Sequence, residues 1–195
     1  VFWTEARQFC AWLTAKERQA GTISAAQTYR LPTDLEWSAA VGMSPEKGKD
    51  PAERSKTAQY GGGPAARPWT VPWNAEDGFT ADQPPKAEAG NYHASVGVDK
   101  FTNTSPVRSF KPNRFGLYDM GGNAWEWCED EFTKGGGTYV MRGGSWKTEL
   151  EKPVRDTFTR TIIAPAIFKM LSGYRFPGAI ALPDTGFRIV LDAGQ

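Results

Sequence analysis

Cys10, Cys128 and His93 are the residues best suited to nucleophilic, redox or soft-metal chemistry, and their scarcity limits what the chain can do. The two cysteines are far apart and outside any CxxC spacing, so neither a zinc site nor a disulfide framework is indicated. Two buried thiols are the expectation. A single histidine cannot build a three-histidine iron or zinc centre. A Ser-His-Asp triad would have to use His93, and nothing near it resembles a nucleophile elbow. What the sequence offers in place of a reaction centre is a recognition surface. From Lys147 to Pro183, arginines and apolar residues are mixed without period, and arginine, tyrosine and phenylalanine are types that protein-binding hot spots favour.

Such residues need a core to stand on. With 195 residues, 39% hydrophobic and 13% aromatic, the chain buries one substantial core and reads as a single domain, residues 1–195. Lysine plus arginine is 23 against 22 acidic residues, net +1, so no global field draws nucleic acid or an anionic membrane. Those partners are not expected. No apolar run approaches the ~20 residues of a membrane span, and the start lacks a basic segment followed by an apolar one. The chain reads as soluble, its compartment open with the cytoplasm favoured. It opens at Val1 directly on a helical pattern, so the start reads as trimmed.

Phe2, Ala6, Phe9, Cys10 and Leu13 recur at the offsets of one helical face, predicting an amphipathic helix that ends near Gly21. A second helix is announced by Pro32-Thr33-Asp34-Leu35-Glu36. Thr33 is placed to cap the backbone N–H of residue 36, Glu36 to return the bond, and Gly42 to stop the helix. Residues 43–90 hold seven of the fourteen prolines and six glycines, which predicts long irregular loop. Trp69, Trp73 and Phe79 are its expected anchors. Pro106–Phe110 reads as a short extended segment, Asn113–Gly116 as a turn, and Leu117–Glu131 as a buried turn feeding a strand. Val140–Trp146 and Gly186–Leu191 are the clearest strand candidates near the end.

Four strings occur in order: Tyr29-Arg30-Leu31-Pro32-Thr33-Asp34-Leu35-Glu36-Trp37, the tract Asn113 to Trp127, Arg142-Gly143-Gly144-Ser145-Trp146, and Gly186-Phe187-Arg188. Together they resemble the formylglycine-generating enzyme and sulfatase-modifying factor family from nearly end to end. What is absent is the family's opening strand region, expected before Val1. The resemblance implies a loop-rich α+β fold of the C-type-lectin kind, with two N-terminal helices and short antiparallel strands.

It also implies calcium, as a structural ion held by two donor sets. The first is Asn91, the carbonyl of Tyr92, Asp99 and the carbonyl of Phe101. The second is Asp119, the carbonyls of Gly122 and Ala124, and Glu126. Hard, mixed oxygen donors suit calcium. Taken without the family, Asn91 and Asp99 would be turn formers bonding their own backbone, and Glu126 a buried acid paired with an arginine. The family's oxidase uses a copper-binding cysteine pair shortly after its Arg-Gly-Gly-Ser-aromatic motif, and no cysteine follows Cys128 here. A branch with three-histidine iron is likewise out of reach. No copper or iron is therefore expected.

Cysteine-free relatives include the variable proteins of diversity-generating retroelements, which end in Arg-Gly-Gly-Ser-Trp, a diversified stretch and Gly-Phe-Arg, and sensor-like domains fused to bacterial kinases and proteases. The resemblance to these implies a non-catalytic, ligand-binding domain. The expected contact residues are Trp146, Lys147, Glu149, Arg155, Phe158, Arg160, Ile162, Phe168, Tyr174, Arg175, Phe176 and Asp184, about half of them exposed. A protein is the expected ligand and a carbohydrate the second candidate. Trp125, Trp127 and Trp146 are expected in the core, not stacked on sugar. The enzyme alternative is an oxidase of this superfamily that acts without the cysteine pair.

Overall fold

The computed structural model describes residues 1–43, 45–60, 90–94, 99–148, 154–155, 162–163 and 174–194. Trp69, Trp73 and Phe79, and the larger part of 43–90, lie outside them. Helix α1 (Trp3–Gln19) begins where the Glu5 carboxylate accepts the Phe2 backbone N–H at 2.8 Å. Its buried line is Ala6, Cys10 and Thr14. Phe2 and Phe9, read as part of the inner face, are instead 50% and 41% exposed. The i, i+4, i+8 line of small side chains lets the helix lie close to strand β1 (Thr28–Arg30), and Thr14 Oγ1 accepts the Tyr29 N–H at 2.8 Å.

Helix α2 (Asp34–Ala40) carries the capping box read from the sequence: Thr33 Oγ1 accepts the Glu36 N–H at 3.2 Å, and Glu36 accepts the Thr33 N–H at 2.7 Å. Gly42 follows with φ +79°, as a stop residue should. The expectation of unbroken loop after Met43 is corrected by α3 (Pro51–Tyr60). Asp50 Oδ1 caps its N-terminus by accepting the Glu53 N–H at 2.8 Å, and Pro51 takes the first helical position.

Strands β2 (Trp125–Glu131), β3 (Tyr139–Arg142), β6 (Phe176–Gly178) and β7 (Thr185–Phe187) form a sheet in the order β6-β3-β2-β7. The strand expected over Val140–Trp146 stops at Arg142, because Gly143 and Gly144 have φ of +91° and +78°. Strand β8 (Val190–Asp192) leaves this sheet and pairs with β1, so the run Gly186–Leu191 is two strands broken at Arg188-Ile189. The short pair β4 (Val154–Arg155) and β5 (Ile162–Ile163) stands apart. All pairs are antiparallel as expected except β2 with β7, which run parallel. Pro106–Phe110 is a turn and not an extended segment, with Arg108 at φ +64°.

Two core clusters flank β2. One joins Ala6, Cys10, Leu31, Trp125, Trp127 and Met141, the other Trp37, Met120, Cys128 and Val140. The β2 tryptophans are core, as expected: Trp125 is 6% and Trp127 1% exposed. Burial of one such ring contributes on the order of 4–6 kcal/mol as an upper figure, which a loop-rich domain with short strands requires. The indole N–H groups of Trp127 and of Trp3 in α1 are satisfied as well. Trp127 Nε1 donates to the Val1 carbonyl at 3.0 Å, and Trp3 Nε1 donates to the Cys128 carbonyl at 2.9 Å. No described helix is long and apolar enough to cross a membrane.

Candidate functional site

The first turn of α2 places Asp34 inside the molecule, fully buried, where three guanidinium groups meet it. Arg54 donates to Oδ2 at 2.8 Å, and Arg175 Nε reaches Oδ1 at 2.7 Å and Oδ2 at 2.8 Å. Arg142 Nη1 bonds Oδ1 as well, and Ser38 and Glu46 complete the network: Arg175 Nη2 lies 2.5 Å from Glu46. Burial alone would raise the Asp34 carboxyl, but Arg142 and Arg175 outweigh it and hold the group below the usual carboxylate range. Three long-range partners therefore converge on one acid. The network fastens α2, the end of β3 and the residue preceding β6 to each other, which fixes where the intervening stretch begins and returns.

Arg175 is thus a structural arginine, 1% exposed, and the expectation that it faces a ligand is corrected. Asp184 is corrected for the same reason. It is 6% exposed, its Oδ2 accepts the Ser145 hydroxyl, and its carbonyl accepts the Trp125 N–H at 2.8 Å. That backbone bond ties the returning chain to the head of β2. The Asp184 side chain holds the Arg-Gly-Gly-Ser-Trp turn, in which Thr148 Oγ1 also accepts the Ser145 N–H at 2.9 Å. Of the other expected contact residues, Lys147 is exposed over the Trp146 ring at 5.0 Å, while Trp146, Tyr174 and Phe176 are half-buried. Tyr174 and Phe176 pack on Trp125 with ring centroids 6.1 and 5.6 Å apart. The side chains of Glu149, Arg155, Phe158, Arg160, Ile162 and Phe168 lie outside the described residues. Ile180, which the sequence reading did not single out, is 61% exposed beside β6.

The two donor sets differ. In the first, Asn91 is fully buried, and its amide donates to the Asn103 carbonyl at 2.7 Å and to Asn123 Oδ1 at 3.2 Å. Its own Oδ1 is buried with no hydrogen-bond partner. Asp99 turns both oxygens to the same loop, accepting the Tyr92 and Phe101 N–H groups at 2.8 Å each. The arrangement combines a carboxylate with an orphaned amide oxygen, and a hard cation fits that chemistry. In the second set Asp119 Oδ1 is likewise buried and unpartnered. Glu126, however, accepts from Trp37 Nε1 at 2.8 Å and from Arg188 at 2.6 and 2.5 Å. Arg188 also donates to the carbonyls of Tyr118 and Asp119 at 3.3 and 3.2 Å. Positive charge is already supplied there, so Glu126 does not fit a calcium ligand, and the buried acid–arginine pair suggested by residue type alone is what the structure shows.

Neither thiol is poised to react. Cys10 and Cys128 are both free and buried. Burial raises both, and for Cys128 the shift is large. Cys10 lines a groove of about 460 Å³ between α1 and β1, together with Arg7, Arg18, Arg30 and Glu129. Burial, reinforced by Glu129, keeps this thiol protonated against the pull of Arg7.

The family described as the Sulfatase-modifying factor enzyme 1-like domain matches residues 1–193. A formylglycine-generating enzyme of Thermomonospora curvata is 28% identical over 130 residues, covering 67% of this chain and 32% of that protein. The Inactive C-alpha-formylglycine-generating enzyme 2 of Bos taurus is 28% identical over 148 residues, covering 75% of this chain and 37% of that one. The chain thus spans about a third of the length of these relatives. Among solved structures, CarF shares the fold with a TM-score of 0.50 and 23% identity, over 97% of this chain and 64% of its own.

Proposed function

The chain belongs to the sulfatase-modifying factor enzyme 1-like family, and from that premise we propose that it is a non-catalytic member that binds a ligand, a protein, through the loop-rich face between Trp146 and Asp184. One observation carries this reading: the terminal frame of the fold is built, while no cysteine follows Cys128 to hold a soft metal. The relative from Bos taurus whose name calls it inactive gives the reading a precedent. Support from the geometry is that Ser145, Asp184 and Arg175 are all buried and mutually braced through β2, β3 and α2, while Lys147 and Ile180 stand exposed beside them. Loops on a braced frame are where recognition is found. In this reading the domain is the sensor module of a larger effector or a retroelement-diversified variable protein.

Calcium is proposed at the first donor set, where Asn91 Oδ1 and Asp99 would hold it with the carbonyls of Tyr92 and Phe101. The bound ion would supply fixed positive charge that pins this loop. It has no part in a reaction.

Two measurements test the reading. Oxygen uptake with a cysteine-containing peptide, with copper or iron supplied, is expected to stay at background, and metal-dependent turnover would overturn it. A photo-crosslinking residue placed at Lys147 is expected to capture a partner protein that the same residue at the exposed Lys134 does not. Equal capture at both positions would defeat the placement.

A further inference from the structure

Residues 100–118 hold Lys100, Arg108, Lys111 and Arg114 and no acidic residue, in a chain that is otherwise balanced in charge. Six other described arginines differ from these. Arg7, Arg30, Arg54, Arg142, Arg175 and Arg188 each lie in an ion pair. Lys100, Arg108 and Arg114 are exposed, and among the described residues none of them has a carboxylate in ion-pair reach. They are held over rings instead. Arg108 sits 5.2 Å from the Tyr118 centroid, Arg114 4.7 Å from Phe115, and Lys100 5.8 Å from Phe101. A cation on a ring keeps its full charge and its outward N–H groups while losing mobility.

Among the described residues, the acids next to these cations in sequence, Asp99 and Asp119, are turned to backbone N–H groups. Asp119 Oδ2 accepts the Arg108 backbone N–H at 2.7 Å, and its Oδ1 is buried. Asp99 is occupied by the N–H groups of Tyr92 and Phe101. The Asp119 bond also joins the 107–109 turn to the 117–119 segment, which follows directly on the Asn113–Leu117 turn that carries Arg114. Phe101 against Phe110, with centroids 6.1 Å apart, brings Lys100 to its edge. Between the charges stand apolar groups left in water: Val107 is 79% exposed, Phe115 54% and Leu117 36%.

We propose that this surface docks an acidic segment of a polypeptide partner in which carboxylates alternate with apolar residues. Fixed cations in one stretch with exposed Val107, Phe115 and Leu117 match that pattern in charge and in apolar content. Nucleic acid fits less well. Four cations fall short of the ~6–10 phosphate contacts of a strongly salt-dependent DNA binder, and one face of each ring beneath them is already taken by a cation.

The probe is a fluorescent peptide alternating Glu with Leu and Phe, compared with the same peptide carrying Gln for Glu and with a single-stranded oligonucleotide. Fluorescence anisotropy should show the acidic peptide binding at least tenfold more tightly than the Gln peptide, and more weakly as salt rises. R108E/R114E should reduce its affinity at least tenfold, and V107S severalfold. K134E, which makes half that charge change on an exposed turn outside residues 100–118, should leave affinity within twofold. Circular dichroism and the melting temperature of the exposed-residue variants should match the parent, which separates loss of docking from loss of fold. Equal binding of the acidic and Gln peptides, an unchanged affinity in R108E/R114E, or tighter binding of the oligonucleotide would each overturn the proposal. None of these results bears on the crosslinking outcome at Lys147.

Discussion

Removing the charge of Asp34 while keeping its shape, by Asp34→Asn, leaves Arg54, Arg142 and Arg175 buried with Glu46 as the one carboxylate among the described members of the network. Breaking a buried ion pair by deleting one partner costs about 3–5 kcal/mol, because the desolvated charge that remains has lost its compensation. For a domain of this size each kcal/mol lowers the melting temperature by about 2–4 °C, so a fall of roughly 6–20 °C is expected. That is a large share of the ~5–15 kcal/mol available to a folded domain. The assay is thermal and urea unfolding of D34N, R175M and the double variant. Arg175 loses its Asp34 bonds and keeps Glu46 once Asp34 is gone, so the double variant should be less destabilised than the sum of the singles by about 1–3 kcal/mol. A D34N melting temperature within about 2 °C of the parent, or strict additivity, would refute the view that this acid organises the interior.

Two more outcomes follow from the same geometry. Chelation by EGTA should lower the melting temperature by about 5–10 °C relative to a calcium concentration a hundredfold above its dissociation constant; N91A and D99N should abolish the shift, and E126Q should leave it in place. Glu36 is held at about 2 by its hydrogen bonds from Arg30, against an ordinary value of 4.5. A depressed carboxylate stabilises the fold above its unfolded pKa and loses that contribution as the pH falls through the folded one, so the stability difference between parent and E36Q should be full above pH 4.5 and vanish towards pH 2.

The features legible in the sequence were the locally determined ones. The Thr33–Glu36 capping box is written within four residues and needs no tertiary partner, and the strand that ends the Leu117–Glu131 tract follows from its aromatic, buried character. Helix α3 has a local signal, since Asp50-Pro51-Ala52-Glu53 carries a cap, a first-turn proline and an acid, but the glycine and proline content of the surrounding stretch masks it. The Asp34 network had no comparable signal. Its arginines are 20, 108 and 141 residues away, and nothing local distinguishes them from Arg108 or Arg114 on the surface. For Glu126 residue type suggests an arginine partner, but that the partner is Arg188 depends on the parallel register of β2 and β7.

That register has a consequence for the order in which the molecule is made. Strand β2 emerges from a ribosome some sixty residues before β7, and Arg188 is 62 residues beyond the Glu126 it neutralises. Until those last residues are free of the exit tunnel, one side of β2 has no neighbour and Glu126 has no cation. Strand β1, made earlier still, waits for β8 in the same way. Nascent chains halted at Leu182 should therefore remain sensitive to protease, and a chaperone that shields open strand edges would be of most use to this domain until β7 and β8 have been made.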